Sequence, residues 1–175
     1  MKNIFFKVAI VSGVLTGIAC LLFLLLLYVS GLDGLGQYKL LYFPIYAAGI
    51  VGGLKFFRDY RNGGYLAGSR AVSMALIINF VGAISYVVLL FVLLSSVSGI
   101  LDFHHQQLTQ WLLNNRDAYV SQFGMKQYEA QFAEIKNITK AHITMVEGIK
   151  TIIAGFVLAM AVAVILKKSP PPKQL

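Results

Sequence analysis

Lys55-Phe56-Phe57-Arg58-Asp59-Tyr60-Arg61-Asn62-Gly63-Gly64-Tyr65-Leu66-Ala67-Gly68-Ser69-Arg70 is the one dense basic, glycine-rich stretch lying between two long apolar runs. It sets Lys55, Arg58, Arg61 and Arg70 against a single acid, Asp59. Asn62-Gly63-Gly64 signals a turn, because all three residues tolerate left-handed backbone geometry. A short cationic turn between apolar runs reads as a loop on the cytoplasmic face of a membrane, where lysine and arginine concentrate. That reading decides how every other segment is threaded.

The composition agrees. Of 175 residues, 58% are hydrophobic and 13% charged, against about 25% charged in an ordinary soluble domain. The mean hydropathy is +0.73. One soluble core of this size cannot hide so much apolar surface, so lipid is its solvent. The formal net charge of +8 does not indicate nucleic acid. The lysines and arginines flank the apolar runs, as membrane insertion requires, and no basic face of a soluble domain is there to carry such binding. The single cysteine, Cys20, says nothing about redox compartment. Gly17, three before it, is not the large aliphatic residue of a lipoprotein site, and the apolar run continues past it to Val29. A cleaved leader has an apolar region of about 7–15 residues. The first run is longer and reads as an uncleaved span.

Working outward from the loop, four apolar runs emerge, at about 8–29, 38–57, 71–101 and 149–166. A helix rising 1.5 Å per residue crosses about 30 Å of hydrocarbon in about 20 residues. Gly31, Gly34, Gly36 and Asp33 make a turn between the first two runs. Tyr38, Tyr42 and Phe43 suit the headgroup level, and Pro44 stands near the start of its helix. The third run is longer than a span needs and should tilt or project. Small residues recur four apart at Gly13/Gly17, Ala48/Gly52, Gly49/Gly53 and Gly155/Ala159, the spacing at which two helix backbones approach closely. The sequence 169–175 is too proline-rich to fold.

Charge then orients the spans. The amino terminus, the 55–70 loop and the 167–175 tail are basic and nearly free of acids, whereas the 30–37 turn and residues 102–148 are not. Four spans put the first three segments on one side, which the positive-inside rule makes cytoplasmic. The 102–148 segment is then an extracytoplasmic insertion between spans three and four. Within it Met125, Tyr128, Phe132, Ile135 and Ile138 recur at helical spacing after Gly124, one face of an amphipathic helix. A helix of this length is marginal alone in water, so its stripe needs a cover: the span ends, the lipid surface or another protein.

Residues with chemistry are few. Asp102, His104, His105, His142 and Glu147 lie within the outer segment. Zinc needs three or four converging ligands, and adjacent histidines on a helix point apart. These histidines therefore read as solvated or interfacial. Asn137-Ile138-Thr139 fits the glycosylation acceptor pattern by chance. No Ser/His/Asp or Cys/His set, phosphate-binding glycine loop or HExxH stands in the chain. Transporters and proton relays place ionisable groups inside the bilayer. Within 8–29, 40–54, 71–101 and 149–166 the one charged residue is Lys150, at an edge; Asn79 is a deep amide and Tyr86 stands near the middle of the third run. Asn79 and Tyr86 read as interhelical hydrogen-bonding groups.

Gly52-Gly53-Leu54-Lys55-Phe56-Phe57-Arg58-Asp59, followed by Asn62-Gly63-Gly64-Tyr65, resembles a domain-of-unknown-function family of small four-span bacterial inner-membrane proteins. The family's pattern is a basic-aromatic run ending in an arginine and an acid, then paired glycines. Where family members carry a phenylalanine soon after the glycines, this chain has Ala67-Gly68-Ser69. The resemblance implies four spans with a long segment between the third and fourth, and it brings no catalytic residues. The expectation is an all-α membrane protein of one domain, 1–175, in the bacterial inner membrane with both termini cytoplasmic. It is expected to be non-enzymatic and structural or interacting in role, with a small oligomeric transporter or channel subunit as the alternative. The lipid bilayer, a homo-oligomer or a membrane-protein partner is expected, with no cofactor, metal or catalytic residue and no nucleic acid.

Overall fold

A computed structural model describes residues 2–169; of the tail expected to be disordered, residues 170–175 lie outside them. Among the described residues there are seven α-helices and no strand: α1 (Lys2–Val29), α2 (Phe43–Phe56), α3 (Gly68–Ser96), α4 (Ser98–Asn114), α5 (Arg116–Phe123), α6 (Met125–Asn137) and α7 (Lys140–Leu166). Four stretches are long and apolar enough to cross a membrane: Asn3–Val29, Tyr38–Arg61, Gly68–Ser96 and Lys140–Leu166. They form a ring in which α1 packs on α2 and α3, and α7 closes it against the same two helices.

Small residues set how closely the ring packs. A Cβ placed on Gly17 would lie 2.8 Å from the Gly82 carbonyl oxygen and 2.9 Å from the Tyr86 nitrogen, both α3 backbone. One on Gly13 would lie 3.0 Å from the Ile78 carbonyl. Gly49 and Gly53 turn to α1, against Thr16 and Ser12, while Gly155 of α7 faces Asn79 and Tyr46. Gly52 has nothing within 4 Å and Ala48 is exposed. Of the two small-residue pairs in α2, therefore, only Gly49/Gly53 is a packing face. Between helices already in lipid the hydrophobic effect supplies no drive, so such close contacts carry the association.

The second span is a composite. A 3₁₀ turn over Gln37–Tyr42 leads into α2, with Pro44 in its first turn, and a π-type turn over Phe57–Arg61 extends it. Gly63 (φ 63°) and Gly64 (φ 83°) then reverse the chain, as their lack of a Cβ allows. The end of the bundle that carries this loop is tied together. The Phe5 and Phe57 rings meet edge to face at 5.4 Å. Leu66 and Lys168 exchange two backbone hydrogen bonds of 2.8 Å, and Arg58 Nη1 donates to the Leu166 carbonyl at 3.4 Å. The start of α1, the basic loop and the end of α7 thus share one end.

At the other end the third and fourth runs differ from expectation. The run at 71–101 is not one helix: it breaks at Val97 (φ −126°, ψ 89°). The Ser95 and Ser96 hydroxyls donate back to the Phe91 and Val92 carbonyls, at 2.7 and 2.9 Å, a bonding mode that weakens helices. The fourth helix starts not at 149 but at Lys140, where Thr139 Oγ1 accepts the His142 N–H at 3.2 Å. Thr144, Glu147, Gly148 and Thr151 are buried on its inward face, in register with Gly155 and Ala159.

Helices α4, α5 and α6 make a cap beyond the ring. Gly124 (φ 84°) separates α5 from α6. Of the amphipathic stripe, Tyr128 and Ile135 are buried, Phe132 is half-buried and Met125 is 44% exposed. Ile138, at the end of the stripe, packs on the core of the ring, and the rest is covered from within the segment. Leu108 and Leu112 of α4 and Tyr119 and Val120 of α5 pack on it, so the cap has a small core of its own. Phe132→Asp is expected to destabilise this cap by about 2 kcal/mol, as a charge forced among apolar side chains does. Hydrogen exchange should show α4–α6 losing protection while the ring keeps it; unchanged exchange in the cap would show the stripe to be idle.

Candidate functional site

The second and fourth spans meet along a polar seam running inward from the cap end. At its mouth Glu147 is 5% exposed, with its Oε1 3.5 Å from Lys39 Nζ and 3.7 Å from Lys150 Nζ. Next, the Tyr42 and Thr151 hydroxyls lie 2.9 Å apart. Deeper still, the Tyr46 hydroxyl donates to Asn79, 2.6 Å from its carbonyl and 2.8 Å from its Oδ1. The Asn79 Nδ2 donates across to the Ile152 carbonyl at 3.3 Å. Each layer joins α7 to the second span or, through Asn79, to α3. Tyr86 is buried beside the seam, its ring 5.9 Å from that of Tyr42.

Local sequence builds this arrangement. Tyr42 and Tyr46 are one turn apart at the junction of the 3₁₀ turn with α2, so both rings enter the bundle. Glu147, Thr151 and Gly155 repeat at four on α7, and the bare Gly155 leaves room for the Asn79 amide. Asn79 therefore behaves as its sequence reading expects, as an interhelical clamp. Tyr86 serves by ring packing. The reading of the spans as free of ionisable groups apart from Lys150 needs correction: Glu147 is a buried carboxylate on the fourth spanning helix. Its position was legible in one signal, the run Thr144, Gly148, Thr151, Gly155, Ala159, which extends the small-residue stripe upstream of 149.

A second polar contact joins the first turn to the cap. His104 Nδ1 donates to Asp33 Oδ2 at 2.8 Å, with both side chains 9% exposed. The other Asp33 oxygen accepts the Leu35 N–H at 3.0 Å. The expectation of solvated or interfacial histidines therefore fails for His104, because the cap helix lays it on the turn. His105 Nε2 donates to the Ile138 carbonyl at 3.1 Å, and His142 and Asp102 are exposed. The five residues weighed for a metal are thus dispersed. Among the described residues, no group of three or more His, Cys, Asp or Glu side chains converges. The pairing of Asp33 with His104 had no sequence signal, since one residue lies in a turn and the other on a helix far along the chain.

Four long apolar helices in a ring, with small residues at their contacts and hydrogen bonds across them, define a multi-pass membrane protein. The chain belongs to the DUF4199 family, described as a protein of unknown function, which matches residues 12–168. No curated protein and no solved structure matches it.

Proposed function

We propose that this is a non-enzymatic, interaction-type protein of the bacterial inner membrane, with the basic end and both termini in the cytoplasm. The observation that carries it is the cap. Helices α4–α6 have their own core, yet Trp111 (56%), Leu113 (51%), Phe123 (55%) and Met125 (44%) remain exposed on it. Exposed aromatic and methionine side chains beside a polar segment are the composition of binding faces. The orientation is supported by the three basic segments at one end. Its occupant is a membrane-protein partner or a second copy of the chain.

A photo-crosslinker placed at Trp111 in native membranes tests the reading. A discrete protein adduct that disappears with Phe123→Ser supports it; adducts to lipid alone overturn it. Reporter fusions at Asn62 and Asn115 are expected to show opposite sides, cytoplasmic and periplasmic respectively. The same side for both would end this topology.

The second reading, a subunit of a small oligomeric transporter or channel, is favoured by Glu147. Carboxylates buried on spanning helices commonly belong to ion or proton pathways. Light scattering on the purified chain tests this second reading: a monomer overturns it.

A further inference from the structure

Two grooves flank the start of α1 at the basic end. The first, of about 450 Å³, lies between α1 and α3 under the loop, with Phe5, Phe57 and Ile77 below Arg61 and Arg70. The second, of about 560 Å³, lies between α1 and α2, with Val8, Val11, Leu15 and Phe56 below Lys7 and Arg61. Arg61 and Ile4 line both. Among the described residues neither groove is lined by a carboxylate. The acid of the loop, Asp59, is occupied by Arg58, whose Nε donates to it at 2.6 Å. Among the described residues no carboxylate is in ion-pair contact with Lys7, Arg61 or Arg70. Arg61 rests over the Phe56 ring, 5.8 Å from its centroid.

We propose that this pair of grooves binds one anionic phospholipid carrying two phosphates and two pairs of acyl chains, astride the start of α1. Three features select it. Each groove is apolar toward the membrane interior and cationic at its surface end, the polarity of a phospholipid. The cations are divided, Lys7 on one side and Arg70 on the other, with Arg61 shared between them. That division suits two linked phosphates better than one. Arginine binds phosphate oxygens through paired N–H donors, and basic pockets between spanning helices at the anionic leaflet hold such headgroups. The inference rests on this end of the ring standing at a membrane surface.

The test uses the full chain in neutral detergent, with cardiolipin as the diphosphate probe and phosphatidylglycerol at equal total charge as the single-phosphate probe. Native mass spectrometry is expected to show one retained cardiolipin, and the melting midpoint to rise with cardiolipin and not with phosphatidylglycerol. Arg61→Gln should weaken retention about fivefold, the factor expected of one basic residue at an anionic surface. Arg116→Gln, in the cap, should leave it unchanged. Equal stabilisation by phosphatidylglycerol, or retention untouched by Arg61→Gln, overturns the site. Flotation with neutral vesicles reports insertion separately. A chain that floats yet retains no diphosphate lipid loses this site and keeps its membrane reading.

Discussion

Gly17→Leu should force α1 away from α3 and cost about 3 kcal/mol, at the upper end of overpacking penalties. At this position even a Cβ would lie 2.8 Å from the Gly82 carbonyl and 2.9 Å from the Tyr86 nitrogen. Backbone cannot swing aside as a side chain can, so the helices themselves must part. Their separation would also loosen α3 against α7, and with it the Asn79 clamp. Gly52→Leu is the matched comparison: the same change on a spanning helix where nothing lies within 4 Å of the added carbon. It should stay within about 0.5 kcal/mol of wild type. Thermal melts of both variants in one detergent decide the matter. If they coincide, α1 and α3 do not approach as closely as these distances require.

Asp33→Ala is expected to cost about 3 kcal/mol, because it leaves two buried donors without an acceptor. The carboxylate serves the Leu35 N–H at 3.0 Å and His104 Nδ1 at 2.8 Å. With both side chains of the pair only 9% exposed, water cannot readily replace it, and removing one member of such a pair is strongly destabilising. Asp33→Asn keeps an acceptor and should lose about 1 kcal/mol. The double change Asp33→Ala with His104→Leu should cost clearly less than the two single changes added, since it removes donor and acceptor together. Strict additivity would show that the contact contributes no coupling. Hydrogen exchange in α4 should rise in Asp33→Ala, because the pair fastens the cap to the ring.

Apolar runs and basic flanks located the spans, since crossing hydrocarbon imposes length and excludes charge along the lipid-facing surface. The same test misplaced the start of the fourth helix. Glu147, Lys150, Thr144 and Thr151 look like the end of a polar segment to a hydropathy scan. In the fold, Glu147 and Thr151 turn inward, where the ring supplies Lys39 and Tyr42 as partners, while the buried Thr144 bonds back to the Lys140 and Ala141 carbonyls of its own helix. A buried polar group is tolerable only when its partner is present, and for Glu147 and Thr151 that partner comes from another element of the fold. The amphipathic stripe at Met125–Ile138 was visible for the same reason as the spans: periodicity is local. What covers it was not visible, because α4 and α5 carry no pattern that points to α6.

The chain's own residues, read in order, establish a multi-pass all-α protein with four spans, a basic end and an outer helical segment. Each of these follows from local rules of length, charge and periodicity, which act without knowledge of neighbours. The turn at Gly63-Gly64 and the break at Gly124 belong with them, being set by what backbone geometry a residue permits. Four features needed the folded ring: which glycines are contacts and which face outward, the Asp33–His104 fastening, the Lys39–Glu147–Lys150 mouth, and the two grooves meeting at Arg61. All four join residues from different elements of the fold. Helix rotation and axial offset bring them together, and close packing of backbones and matched hydrogen bonds across the ring set those quantities.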